Sequence, residues 1–212
     1  MNGRSVLFVF DLLETGGIQR RFLEVGRALI EAGAEARALV FRGERAEMAP
    51  AYEAAGIPVT ALGRRALFDL RFFFRLRRFL RARRFDVVHA LSPPAAFWTA
   101  LALSRGRGDV FLGSLSDLHQ FERRAFRLAE RWVTSRRLDG LWVNARAVEE
   151  YYVSRIGRRP RIYRLYNGAA APPEAADREA LRGDLGIAPE EIAIVTTGRL
   201  AEIKRQADEI GR

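Results

Sequence analysis

The chain has 212 residues, 49% of them hydrophobic, and a formal net charge of +10 at neutral pH. It holds no cysteine, which excludes disulfides and thiolate metal sites, and its two histidines, His89 and His119, lie too far apart in sequence to speak for zinc. The N-terminus has only about five apolar residues in a row, and no stretch reaches the roughly 18 of a spanning helix, so a cytoplasmic protein is expected.

Short β-branched runs alternate with longer segments of helical spacing. A strand is predicted over 5–10, followed by the turn at Gly16-Gly17 and a helix over 17–33. Phe22, Val25, Leu29 and Ile30 share one face of that helix, and Gly33 supplies its stop. Two adjacent glycines let backbone approach a ligand closely, and a helix start offers unsatisfied N–H groups to an anion. The same turn can serve only to join strand to helix. It lacks the GxGxxG spacing, so a dinucleotide fingerprint fails. Further strands are expected over 35–41 and 57–62.

The next segment, 63–86, is dense in phenylalanine and arginine. Phe72, Phe73, Leu76, Phe79 and Leu80 form one helical stripe, with Arg71, Arg75, Arg78 and Arg81 largely elsewhere. Such a helix can cover a sheet with its phenylalanines as core, or lie on an anionic membrane surface. Phe74, off the main stripe, is the residue that speaks for the membrane, and Arg71, Phe74, Arg75 and Arg78 are the candidates to face it.

In the strand over 85–90, His89 sits at the carboxyl end of a buried run. That position suits a cleft, and the ring can also bond a neighbouring loop. His89 is the one catalytic candidate. Pro93-Pro94 can open the next helix. After the strand over 109–114, Ser114, Ser116 and Asp117 can cap a helix or line the same cleft, and capping suits Asp117 best. Strands over 139–144 and 161–166 follow, the first ending in Asn144 and the second leading to Asn167-Gly168. The Ala/Pro stretch 169–177 reads as a linker. Beyond it come a helix at about 177–186, a strand over 191–197, and Gly198-Arg199 with Lys204, the only lysine of the chain. A bidentate arginine and a compact ammonium beside a strand-end glycine suit two phosphate groups.

Alternation of this kind implies an α/β fold, a Rossmann-like doubly wound parallel sheet with ligands at the carboxyl ends of its strands. The expected division is a first domain over 1–168, the linker, and the opening of a second domain over 178–212. The positive charge suits nucleic acid, anionic lipid or phosphorylated small molecules, and arginine-rich codon usage also produces it. No nucleic-acid motif accompanies it, so no nucleic-acid partner is expected.

The ordered set Gly16-Gly17-Ile18-Gln19-Arg20, Asp86-Val87-Val88-His89, Asp139-Gly140 through Asn144, Asn167-Gly168, and Gly198-Arg199-Leu200 with Lys204 resembles family 4 glycosyltransferases of the GT-B fold. The resemblance covers essentially the whole chain. It implies transfer of a sugar from a nucleotide-diphosphate donor to a glycan or lipid-linked acceptor, with retention, without metal or resident cofactor. It places Gly198, Arg199 and Lys204 on the donor diphosphate, and Gly16, Gly17, His89 and Asn144 on the acceptor side of the interdomain cleft. Departures are Leu91 in place of the second histidine of H-x-H, Ser114-Leu115-Ser116 where many relatives carry a histidine, and Arg21 where some carry an acid. The resemblance places the family's E-x₇-E motif at a position that would lie well beyond residue 212, so the chain is expected to hold little of the donor domain and to be inactive alone. A non-catalytic module that docks on a membrane or a partner is the alternative. A GT-B sugar-nucleotide epimerase fits GGIQR and GRLAEIK less well.

Overall fold

The computed structural model describes residues 3–66, 69–104, 109–117, 123–157, 160–168 and 177–195. They fall into two units, Met1–Asn167 and Gly168–Arg212. In the first unit the elements run β1 (Ser5–Phe10), α1 (Gly17–Glu31), β2 (Glu35–Val40), α2 (Ala49–Ala54), β3 (Val59–Ala61), α3 (Leu70–Ala82) and β4 (Val87–Ala90). There follow α4 (Pro93–Ala102), β5 (Val110–Leu115), α5 (Arg124–Ala129) with a π-helical turn at Glu130–Thr134, β6 (Gly140–Val143), α6 (Arg146–Arg155) and β7 (Arg161–Arg164).

The seven strands form one sheet of order β3-β2-β1-β4-β5-β6-β7, every neighbouring pair parallel. Chain direction across the sheet reverses between β1 and β4, which makes the carboxyl ends of those two strands the topological switch point. Both faces are buried, as a parallel sheet requires. Alternate residues of β1 separate them. Val6, Phe8 and Phe10 pack with Phe22 and Leu23 of α1 and Tyr52 of α2. Leu7 and Val9 face the other way, toward Phe72, Leu76 and Leu80 of α3, Trp98 of α4 and Tyr152 of α6.

Local chemistry sets the helix limits. Asp69 caps α3, accepting from the Phe72 N–H at 2.9 Å, and Ser92 caps α4 ahead of its two prolines. Gly33 takes a positive φ of 82° just after α1, a conformation that a side chain disfavours. Gly26 lets α1 lie close on the sheet, because a Cβ there would stand 2.4 Å from Ile57 Cδ1.

The aspartates of the DVVH and DG stretches work at the amino edge of the sheet, away from the strands' carboxyl ends. Asp86 accepts from the Ser5 N–H at 2.7 Å and pairs with Arg4, and Asp139 accepts from the Phe111 N–H at 2.7 Å. Each fixes the start of a strand against its neighbour, and the backbone donor holds the Asp86 carboxyl below the ordinary carboxylate range.

In the second unit Asp177 caps α7 (Arg178–Asp184), accepting from the Glu179 N–H at 3.0 Å. The strand expected over 191–197 is not formed by Glu191–Val195: these residues pair with no strand, and Ile192 and Ile194 are about nine-tenths exposed. Apolar alternation alone does not make a strand, which exists only through hydrogen bonds to a partner. The linker residues 169–176 lie outside the described residues, as do 196–197. Among the described residues no helix is long and apolar enough to cross a membrane.

Candidate functional site at the carboxyl ends of the strands

The loop from β1 to α1 is pinned from several sides. The Leu13 N–H donates to the Arg45 carbonyl, the Met48 N–H to the Leu13 carbonyl, and the Thr15 N–H to Glu47 Oε2. Gln19 Nε2 reaches back to the Leu12 carbonyl at 3.2 Å, and Tyr52 holds the Gln19 carbonyl at 2.7 Å. Glu14 pairs with Arg45. At the base of the loop Asp11 meets the buried Arg64 at 2.7 Å. Burial raises the Asp11 carboxyl above the usual range, against the lowering pull of Arg64, Arg42 and Arg45.

This bracing presents Gly16 and Gly17 at the switch point. Gly16 is the extended N-cap of α1 and contributes no side-chain cap, and no acid lies in the helix's first turn. Apart from its chain neighbours and the helix's own backbone, no atom lies within 4 Å of the position where a Gly17 side chain would begin, whereas one on Gly16 would meet Gln19 Oε1 at 2.7 Å. Gly17 thus stands in open space at the first turn of a fifteen-residue helix, where the N–H groups carry the positive end of its dipole. Arg20, the arginine of the GGIQR stretch, is exposed.

Beside this loop lies a stack that joins three strands and α1. His89 of β4 is 4% exposed, with Nε2 2.8 Å from Ser114 Oγ of β5. Trp142 of β6 stacks on the His89 ring at 5.6 Å, and Phe22 meets it edge-on at 5.0 Å. The guanidinium of Arg21 lies over both Phe22 and Trp142, at 5.0 and 5.3 Å, and donates through Nη1 to Asn167 Oδ1 beyond β7. Its Nε and Nη2 are shielded from solvent and make no hydrogen bond.

Burial, reinforced by the nearby Arg21 charge, drives the His89 pKa down to about 3, against a weaker opposing hydrogen bond with Gly113. His89 is thus a neutral ring enclosed between Ser114 and Trp142. Its partner Ser114 belongs to the strand end that carries serines in place of a histidine. The Arg21 pKa is lowered by burial.

Asn144 and Ser116 lie one residue past the last registered pair of β5 and β6, Leu115 with Val143. Asn144 Oδ1 and Ser116 Oγ are both buried and make no hydrogen bond. At this end of the sheet the structure therefore holds the Gly16-Gly17 turn, open at Gly17, the His89 stack, and polar groups with unused hydrogen-bonding capacity. Residues 118–122, where capping by Asp117 would be seen, and Gly198, Arg199 and Lys204 lie outside the described residues. Among the described residues no cluster of three or more histidine, aspartate or glutamate side chains could hold a metal ion.

The Arg21–Trp142–Asn167 contact is the part of the site that sequence reading missed. Its only sign in the sequence is a second arginine directly after Arg20, with no local pattern tying it to residues more than a hundred positions away.

Four membrane-facing candidates on α3 divide. Arg71, Phe74 and Arg78 are exposed, Phe74 by 64%. Arg75 turns aside, donating to the Gly63 carbonyl at 3.0 Å with Asp69 4.0 Å away.

Residues 16–168 match the model of the glycosyl transferase 4-like domain. Solved structures of similar fold include the HepE protein (Alr3699) of Anabaena in complex with UDP. It has a TM-score of 0.68 and 17% identity, over 86% of this chain and 50% of that one. A glycosyltransferase of Rickettsia africae gives a TM-score of 0.65 at 10% identity, over 89% and 51%. The lipopolysaccharide outer core galactosyltransferase WaaB gives 0.59 at 12% identity, over 81% and 50%. At these identities the likeness is one of fold, the Rossmann-like sheet of GT-B glycosyltransferases. The chain spans about half the length of each. No curated protein sequence matches it.

Proposed function

The chain belongs to the glycosyl transferase 4-like domain family, and from that membership we propose that it forms the acceptor side of a retaining glycosyltransferase. The reaction moves a sugar from a nucleotide-diphosphate donor to a glycan or lipid-linked acceptor at the inner face of the cell membrane. One observation carries the reading: Gly17, at the start of α1, stands in open space at the switch point of the sheet. That HepE was solved with UDP and glucose supports a nucleotide-sugar donor.

In this reading the glycine turn admits the reacting sugar against backbone N–H groups. Asn144 Oδ1 and Ser116 Oγ, buried and unpartnered at the same end of the sheet, bond acceptor hydroxyls once the residues covering them move aside. Arg21, clamped by Trp142 and Asn167, holds the loop and brings a fixed positive charge. His89, neutral and enclosed, positions Trp142 and Ser114 and does not exchange protons. Gly198, Arg199 and Lys204 hold the donor diphosphate and neutralise charge on the departing nucleotide, so the reading assigns no role to a metal or resident cofactor.

The test uses G17V in the catalytically competent enzyme, assayed with a panel of nucleotide-diphosphate sugars. The Cβ of a side chain here meets nothing beyond the turn and the helix backbone, so G17V should lower transfer at least tenfold with Tm unchanged, while a chelator leaves the parent rate unaltered. Retention appears as an unchanged anomeric configuration in the NMR spectrum of the product. Undiminished transfer by G17V would remove the turn from the site.

A further inference from the structure

The excess of positive charge in this protein is not spread evenly along the chain. Residues 70–84 hold seven arginines and no acid, and residues 123–137 hold six arginines and one acid, Glu130, which is buried. These two segments contain thirteen of the 36 basic residues and one of the 26 acidic ones, so their excess is larger than the net charge of the whole chain. The rest of the molecule is close to neutral. Arginine-rich codon usage raises arginine everywhere and does not produce that partition.

The two segments are α3 and the α5–π-helical stretch, and both pack against α4 on the same face of the sheet. Each turns large apolar side chains outward. On α3 these are Leu70, 72% exposed, and Phe74. On the second segment they are Phe126, Leu128 and Trp132, the last 56% exposed. Leu101 of α4, between the two, is exposed as well.

Exposed arginines stand among these side chains: Arg71, Arg78 and Arg81 on one segment, Arg124, Arg131 and Arg136 on the other. Arg136 lies over the Trp132 ring at 4.4 Å, so a cation and an indole are presented together. A depression of about 520 Å³ opens beside Phe74, lined by Arg77, Arg78, Arg81 and Ala82.

Apolar side chains of this size are costly to leave in water, and an acid-free surface repels other basic proteins and attracts anions. Aromatic rings with arginine beside them suit the boundary between lipid headgroups and acyl chains. We propose that α3 and the α5–π-helical segment together form a two-helix docking surface for an anionic lipid bilayer. Phe74 and Trp132 enter the headgroup layer, and the arginine-lined depression holds a headgroup phosphate. The proposal rests on the membrane location in the functional reading and not on its transfer chemistry.

The experiment is sedimentation of the 212-residue chain with vesicles of phosphatidylcholine, alone or mixed with phosphatidylglycerol, together with its tryptophan fluorescence. Binding is expected only to the mixed vesicles, with a blue shift of emission that W132F removes. R71E/R78E and R124E/R131E should each lower partitioning by about tenfold or more, and salt should weaken binding further. Equal binding to neutral vesicles, a shift that survives W132F, or indifference to either charge-reversed pair would overturn the proposal. So would release by inorganic phosphate at constant ionic strength, which marks a free-anion site, or release by duplex DNA at charge concentrations where the vesicles do not compete. W132F removes only an exposed ring, so the fluorescence result stands even where a charge-reversed chain folds poorly. No sugar transfer is read, so failure here bears on the membrane location and leaves the transfer chemistry of the functional reading intact.

Discussion

Trp142 and Trp132 stand on opposite sides of one sheet and in opposite surroundings. Trp142 is wedged between His89 and Arg21 near the carboxyl ends of the strands, with its indole N–H on the Leu165 carbonyl at 3.1 Å. Trp132 projects from the helical layer into solvent with Arg136 over its ring. On the first side polar groups are held by several elements at once and keep unused hydrogen-bonding capacity. On the second the core beneath is closed and the outer surface is arginine and aromatic. A precise pocket needs groups immobilised by their neighbours, whereas a surface that meets a fluid bilayer needs only charge and exposed apolar area.

The sharpest contrast is within α3 itself. Phe72 is fully buried against Phe41 and Trp98, while Phe74 is largely exposed. F72A should lower unfolding free energy by about 3–5 kcal/mol in denaturant titration. F74A should stay within about 0.5 kcal/mol of the parent and weaken only vesicle binding. If F74A destabilises the chain as F72A does, α3 has no free face.

Each side also buries a group that titrates in the acidic to neutral range, Glu130 on one and His89 on the other, and the two respond to pH with opposite sign. Glu130, 5% exposed, accepts from the Tyr152 hydroxyl at 2.9 Å beside a void of about 10 Å³. Burial raises its pKa to about 7, opposed by hydrogen bonds that lower it. The folded state therefore keeps a proton that the unfolded chain loses near 4.5. This group's contribution is fully present below that pH and falls by roughly 3 kcal/mol at most as pH rises to about 7. His89 does the reverse: its folded pKa of about 3 lies below the ordinary 6.5, so its contribution is present above 6.5 and lost as pH falls toward 3. In the parent the two slopes oppose between about 4.5 and 6.5. Denaturant titrations across that window should show stability rising with pH in E130Q and falling with pH in H89Q. Slopes of the same sign in the two variants would contradict the burial assigned to one of them.

A smaller effect is expected from R21A. It should reduce kcat/KM for transfer about tenfold, or about 1.4 kcal/mol in transition-state binding. Lysine should not restore the rate, because it lacks the planar guanidinium that lies over Trp142 and donates to Asn167. Full rescue by R21K would reduce the residue to a point charge.

The sheet was largely legible, because seven β-branched runs alternate with amphipathic helices and parallel pairing needs nothing more local than that. The eighth run was read equally well by composition and is unpaired over 191–195, since pairing depends on a partner that composition does not reveal. His89 could be placed at a strand end from its neighbours. Its enclosure by Phe22 and Trp142 could not, as both come from other elements. Periodicity grouped Arg75 with Arg71 and Arg78, and only the position of the Gly63 carbonyl separates them. The aspartates of the DVVH and DG stretches were legible as motifs, yet their work is to fix strand starts, far from the open turn. The concentration of charge into two segments was countable in the sequence, but that both lie on one face is known only from the fold.

The chain has three tryptophans, one on each side of the sheet and Trp98 buried in the core, so it carries its own reporters for this division. The most direct measurement is the ¹H–¹⁵N spectrum of the three indoles, assigned by single Trp→Phe variants, during separate titrations with anionic bicelles and with an acceptor oligosaccharide. Bicelles should shift Trp132, the oligosaccharide should shift Trp142, and Trp98 should move with neither. Bicelles that move Trp142 while leaving Trp132 in place, or an oligosaccharide that moves Trp132 instead of Trp142, would contradict the division.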